Sequence, residues 1–239
     1  MDKTIDTKAA MVVRDLMAVA RAERVAVLAS FFKTGPGQYG EGDRFIGVSV
    51  PDNRKVARRH LDAGFDDIRH LLQSEVHEVR LCALLILVEQ YKRGDAARRA
   101  GIFDFYLTVT GRVNNWDLVD LSCPYIVGAH LLDGGDRSVL YAMARDRSMW
   151  CRRIAVVSTL WLVRHGQFDD ALNLCALLLG DREDLMHKAC GWVLREVGKR
   201  DKGRLVAFLG EHVGDMPRTT LRYAIERFTK DERQEWMKR

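Results

Sequence analysis

Residues 79–88 read VRLCALLILV, and their apolar side chains recur at the spacing of an α-helix. The positions that repeat at i, i+3, i+4, i+7 and i+8 are Val79, Cys82, Ala83, Ile86 and Leu87. Similar spacing returns in residues 154–162. Only four prolines interrupt the 239 residues, and residues 44–50 alone show a weak strand pattern. The sequence therefore predicts an all-α protein.

The helical pattern repeats along the chain from residue 75 onward. Helix pairs are predicted at about 75–110, 112–147, 148–181 and 182–214, with a closing segment at 216–238. One charged position recurs in the first helix of each pair, at Arg80, Asp117, Arg153, Lys188 and Arg222. The separations of 37, 36, 35 and 34 residues match a two-helix repeat of the HEAT type. We expect a right-handed α-solenoid of HEAT-like repeats, with this mostly cationic position lining one surface.

Residues 1–74 are predicted to form two further helix pairs, separated by a loop at 33–43. Ser49 and Pro51 signal the start of a helix after that loop. This helix carries the basic residues Arg54, Lys55, Arg58 and Arg59. They form either a solvated face or a face that contacts phosphates. Together with the later repeats, this segment predicts a single domain over residues 1–239.

The composition is typical of a globular protein, and its positive net charge is compatible with an anionic binding partner. Hydrophobic residues make up 47% and charged residues 30% of the chain, and the formal net charge is +5. The five cysteines are far apart, which favours reduced core residues. Residues 1–13 lack a secretion signal, and the apolar run at 81–88 is too short to span a bilayer. We expect a soluble cytoplasmic protein that does not enter membranes.

Metal and nucleotide chemistry is disfavoured by the motifs. Residues 35–40 fit the phosphate-binding pattern GxGxxG, but a predicted helix rather than a strand precedes them. A flexible loop is the better interpretation. The chain has no HExxH, GxSxG or Walker motif, and its seven histidines are scattered. The sequence therefore predicts no cofactor and no metal.

Residues 114–120, NNWDLVD, contain the strongest candidate for chemistry. Trp116 and Asp120 are four residues apart and share a helix face. Pro124 follows and is expected to bend the chain there. A carboxylate on an otherwise cationic surface opposes phosphate binding, and such local conflicts are typical of functional sites. The alternative is that Asp120 simply pairs with Arg153 of the next repeat.

Two later segments complete this candidate site. Arg153 lies in MWCRRIA at 149–155, and Trp192 lies one turn after Lys188. Trp116, Asp120, Arg153 and Trp192 thus come from three successive first helices, and we expect them to converge. They would form a site with two aromatic walls, a carboxylate and a guanidinium, although each tryptophan alone is more typical of a core.

These segments resemble the AlkD-type DNA glycosylases, which are built of HEAT-like repeats. The resemblance lies in WDxVD at 116–120, WxxRxA at 150–155 and KAxGWVLRE at 188–196, in the same order and spacing. It extends over residues 20–230. The string GWVLRE is its most specific part.

The resemblance implies a monomeric enzyme that removes N3- and N7-alkylated purines, such as 3-methyladenine and 7-methylguanine, from duplex DNA without full base flipping. It assigns Asp120 as the catalytic aspartate, Trp116 and Trp192 as the tryptophans that frame the damaged nucleotide, and Arg153 as the arginine near the phosphates. One departure is Asn115, which stands where a second aromatic residue is expected. This departure bears on substrate range more than on chemistry.

DNA contacts are expected from basic residues along the same surface. The candidates are Arg54, Lys55, Arg80, Arg152, Lys188, Arg195 and Arg222. Two other functions remain open. One is a protein of the same fold that binds DNA structures without catalysis, and the other is a helical scaffold for proteins.

Overall fold

The computed structural model describes residues 7–132 and 134–239, and its described regular structure is α-helical. The chain divides into two compact units, Met1–Ser122 and Cys123–Arg239. The all-α class of helical repeats predicted from the sequence is confirmed. A single domain over residues 1–239 stays a prediction, and its first six residues lie outside the described part.

The first unit contains seven α-helices among its described residues. They are α1 (Lys8–Met17), α2 (Ala22–Phe31), α3 (Val50–Arg59), α4 (Phe65–Leu72), α5 (His77–Arg93), α6 (Ala96–Thr108) and α7 (Trp116–Asp120), with a 3-10 turn at Thr110–Arg112. Helix α5 is the core, because it packs against α1, α3, α4, α6 and α7. Its apolar run therefore has a partner on nearly every side, and fourteen of its seventeen residues are buried.

The second unit begins with a π-helical turn at Pro124–Gly128. It continues with α8 (Ala129–Leu132), α9 (Ser138–Ala144), α10 (Met149–Arg164), α11 (Asp169–Leu177), α12 (Asp184–Gly198), α13 (Lys202–His212), α14 (Arg218–Ala224) and α15 (Lys230–Lys238). Helix α10 packs against α9, α11 and α12, and α12 packs against α14. The predicted pairs at 75–110, 148–181 and 182–214 each contain two helices of one unit, whereas the predicted pair at 112–147 contains α7 of the first unit and α8 and α9 of the second.

The loop before α3 is held by hydrogen bonds from its backbone N–H groups to the Glu78 side chain, and it forms no strand. Arg44 forms one isolated bridge with Val76, so the weak strand pattern at 44–50 produces no strand. The Glu78 carboxylate accepts hydrogen bonds from the backbone N–H groups of Ile46, Gly47 and Val48. Ser49 caps α3 by accepting from the Asp52 N–H, as its sequence predicts.

The cysteine thiols are reduced, and all except Cys151 are buried. Burial raises the pKa of the Cys82 thiol to about 12 and raises that of Cys175 well above its usual value. This agrees with the prediction of reduced core cysteines. The described helices include none with the length and hydropathy needed to cross a bilayer.

Candidate active site

Helix α7 places Trp116 and Asp120 on one partly exposed face. Asn115 caps the helix, and its Oδ1 accepts a hydrogen bond from the Trp116 N–H at 2.8 Å. The helix ends at Asp120, four residues before Pro124, where the sequence predicts a break. Trp116 and Asp120 are half-buried, whereas the three residues between them are buried.

A buried polar network surrounds the start of α7. The Asp43 carboxylate accepts hydrogen bonds from Arg80 Nη2 at 2.6 Å, from Asn115 Nδ2 at 2.9 Å and from His77 Nδ1 at 3.0 Å. The opposite ring nitrogen, His77 Nε2, lies 2.8 Å from Asp117 Oδ2. His77 therefore links the loop before α3 to the first turn of α7.

The network is charged at neutral pH. Burial alone would lower the pKa of His77, but its hydrogen bonds to Asp117 and Asp43 outweigh burial and raise the pKa to about 9. Burial would raise the pKa of Asp43, but the bonds from His77 and Asn115 and the charge of Arg80 bring it below its usual value. An imidazolium thus lies between two carboxylates.

Aromatic rings cover this network. Phe32 stacks on Trp116 with ring centroids 5.1 Å apart and planes 12° apart. Phe32 and Phe45 also lie 4.6 Å and 4.9 Å from the His77 ring. The aromatic neighbour of Trp116 that was expected at position 115 is therefore supplied by Phe32, while Asn115 is buried and acts as a cap.

The other two candidate residues belong to the second unit. Arg153 lies on α10 with 5% of its surface exposed, and its Nη1 donates a hydrogen bond to the Leu185 carbonyl at 2.6 Å. Trp192 lies on the neighbouring helix α12 and is half-buried. Gly191, directly before it, allows α12 to approach α14, because a Cβ there would overlap Tyr223.

Comparison with known proteins decides the family. A family model described as "DNA alkylation repair enzyme" matches residues 12–228. The chain belongs to this DNA alkylation repair family. No curated protein matches it significantly. Its fold is similar to a solved structure titled "Predicted DNA alkylation repair enzyme from Enterococcus faecalis", with a TM-score of 0.69, 16% identity and coverage of 88% of this chain and 97% of that chain.

Membership in the DNA alkylation repair family implies DNA binding, and one predicted contact residue is unsuited to it. Arg80 is only 2% exposed, and its guanidinium is bonded to Asp43 and to the Ser74 carbonyl. This corrects the prediction for Arg80, because a buried ion pair cannot reach a phosphate. Asp117, at the equivalent position of the next repeat, is also buried.

Most other predicted DNA contacts of this repair-family chain form ion pairs within their own unit. The pairs are Lys55–Asp52, Arg152–Asp181, Lys188–Asp184 and Arg195–Glu226. Arg54 and Arg222 are exposed. Arg222 lines a cavity of about 350 Å³ together with the basic residues Lys230 and Arg233. Phosphates would have to compete with carboxylates at the paired positions.

Sequence reasoning missed Phe32, Asp43 and His77. These three residues lie 84, 73 and 39 positions before Trp116, and no local motif joins them to it. In the part of the chain that the structure describes, no three His, Cys, Asp or Glu side chains gather as metal ligands would.

Proposed function

We propose that this DNA alkylation repair protein is a glycosylase that excises cationic N3- and N7-alkylated purines from duplex DNA. The observation that carries the proposal is the exposure of Asp120. Although its neighbours in α7 are buried, Asp120 stays partly exposed beside Trp116, in a chain of the repair family. Partial exposure next to an aromatic ring is the setting that the proposed role of Asp120 requires.

Excision of a cationic purine requires a carboxylate near the sugar but does not require a strong general acid. An alkylated purine is cationic and leaves readily, so positive charge develops mainly on the deoxyribose as the bond breaks. Asp120 would stabilise this charge and position the attacking water. His77, the histidine nearest in the network, is buried between Asp43 and Asp117 and is already bonded to both. It does not serve as the acid.

The remaining candidate residues are assigned to holding the DNA. Trp116 and Trp192 would pack against the sugar and exclude water. Arg153 is proposed to bind a backbone phosphate, because the planar fork of a guanidinium matches the geometry of phosphate oxygens. Arg152, Lys188, Arg195, Arg222, Arg54 and Lys55 are proposed to contact phosphates farther along the duplex.

The decisive experiment is incubation of the protein with methylated DNA. We expect wild type to release 7-methylguanine and 3-methyladenine, and Asp120→Asn to release them about 10²–10³ times more slowly. Asp104→Asn, at an exposed carboxylate on α6, is the matched control and should behave as wild type. Uracil, which is neutral, should not be released.

Two outcomes would contradict the proposal. If DNA is bound without base release and Asp120→Asn changes nothing, the protein binds DNA structures without catalysis. If uracil is released as fast as the methylated purines, selectivity does not come from the charge of the lesion.

A further inference from the structure

We propose that His77 is a positioning residue, which holds Trp116 and Asp120 in place through its bonds to Asp43 and Asp117. This inference rests on the proposed glycosylase function for its catalytic consequence. Its structural consequence, a fixed α7, is independent of that function. His77 itself does not touch the substrate in this scheme.

The direct connection is the bond to Asp117. His77 is the first residue of α5 and is 1% exposed, and its Nε2 lies 2.8 Å from Asp117 Oδ2. Asp117 lies directly after Trp116 and three residues before Asp120. The same Asp117 carboxylate accepts a bond from the Leu118 N–H at 2.8 Å through its other oxygen. A shift of Asp117 would therefore move the whole first turn of α7.

The second connection passes through Asp43. Its Oδ2 lies 3.0 Å from His77 Nδ1 and accepts from Asn115 Nδ2 at 2.9 Å. Asn115 is the residue that caps α7. Both chain neighbours of Trp116 are thus tied to His77, one directly and one through a shared carboxylate.

Helix α7 depends on such contacts because it is short. A helix of five residues has too few internal hydrogen bonds to be stable alone, so tertiary contacts must fix its position. The aromatic cover acts in the same direction, since Phe32 contacts both the His77 ring and the Trp116 ring. Loss of His77 therefore removes a contact to each chain neighbour of Trp116, directly for Asp117 and through Asp43 for Asn115.

A matched pair of variants separates positioning from ordinary loss of stability. His77→Leu removes both hydrogen bonds at similar volume. His60→Leu is the control, because His60 is also buried, at 5% exposure, and also bonds a carboxylate, Asp15 of α1, at 2.9 Å. His77→Gln is the milder second variant, since its amide can still donate to one of the two carboxylates.

Two readouts are measured under conditions where each variant is folded. Backbone amide exchange at residues 116–120 should accelerate in His77→Leu and not in His60→Leu. The single-turnover release of 7-methylguanine should fall about 10²-fold in His77→Leu, as expected for a misplaced reacting group, while DNA affinity stays close to wild type. His77→Gln should lie between wild type and His77→Leu in both readouts.

Unchanged exchange at residues 116–120 in His77→Leu would overturn the proposal, and so would a loss of rate that His60→Leu reproduces. The proposed function fails separately, when wild-type protein releases no methylated base. In that case the exchange measurement alone decides whether His77 fixes α7.

Discussion

Asp117 and Asp120 are three residues apart in a single helix, yet their surroundings differ completely. Asp117 is 3% exposed and bonds His77, whereas Asp120 is partly exposed at the end of the helix. Identical side chains therefore have different roles. The first is part of the buried network that fixes α7, and the second is the group proposed to act on DNA.

The charge of His77 makes stability depend on pH. Its pKa is raised from 6.5 to about 9 in the folded protein, so its stabilising contribution is complete below pH 6.5. It is lost as the pH rises through 9. Urea unfolding between pH 6 and 10 should show stability falling above pH 7, with a flatter profile for His77→Leu. Parallel profiles for the two proteins would contradict this assignment.

Arg80 should matter for folding and not for DNA contact. Arg80→Ala leaves the Asp43 carboxylate buried without one of its cationic partners, which typically costs about 3–5 kcal/mol of unfolding free energy. Arg54→Ala, at an exposed position of α3, should change stability by less than about 0.5 kcal/mol. Denaturant titrations of both variants test this. A small effect at Arg80 would show that the network tolerates its loss.

At the scale of elements, close helix contact places Trp192. Gly191 of α12 faces Thr220 and Tyr223 of α14, and a Cβ would come too close to both. Gly191→Ala should therefore destabilise the protein by about 1–3 kcal/mol. Gly210→Ala in α13 is the control, because nothing lies near its added methyl group, and it should stabilise by about 0.5–1 kcal/mol. If Gly191→Ala and Gly210→Ala shift the thermal unfolding midpoint equally, the close contact between α12 and α14 is contradicted.

The helices were predictable because each one satisfies a local rule. The apolar spacing around residues 79–88 gives α5, and Ser49 and Pro51 give the start of α3. The orientation of the recurring charged position was not predictable. Arg80 and Asp117 find partners in Asp43 and His77, which are distant in sequence, and only tertiary structure shows that these pairs are buried.

At the scale of the whole molecule, the number of phosphates that the protein contacts sets how DNA binding responds to salt. Each phosphate contact releases counterions, so the logarithm of affinity falls linearly with the logarithm of salt concentration. Arg222→Ala should reduce that slope by about 0.9, and Arg80→Ala should leave it unchanged. Binding titrations at several salt concentrations test both. A reduced slope for Arg80→Ala would restore it as a phosphate contact.

The repair family to which the chain belongs was predictable from three short motifs, and the residues that support the site were not. Trp116, Asp120 and Trp192 lie in contiguous strings that resemble the family. Phe32, Asp43 and His77 are brought to α7 by the fold, so their roles appear only in the structure.

The buried thiols have a consequence for the reactivity of the protein towards alkylating chemicals. Sulfur attacks electrophiles as the thiolate, and the raised pKa values of Cys82 and Cys175 keep both protonated near neutrality. Burial also keeps dissolved electrophiles from reaching these sulfur atoms. We therefore expect alkylating agents to leave Cys82 and Cys175 unmodified while the protein is folded.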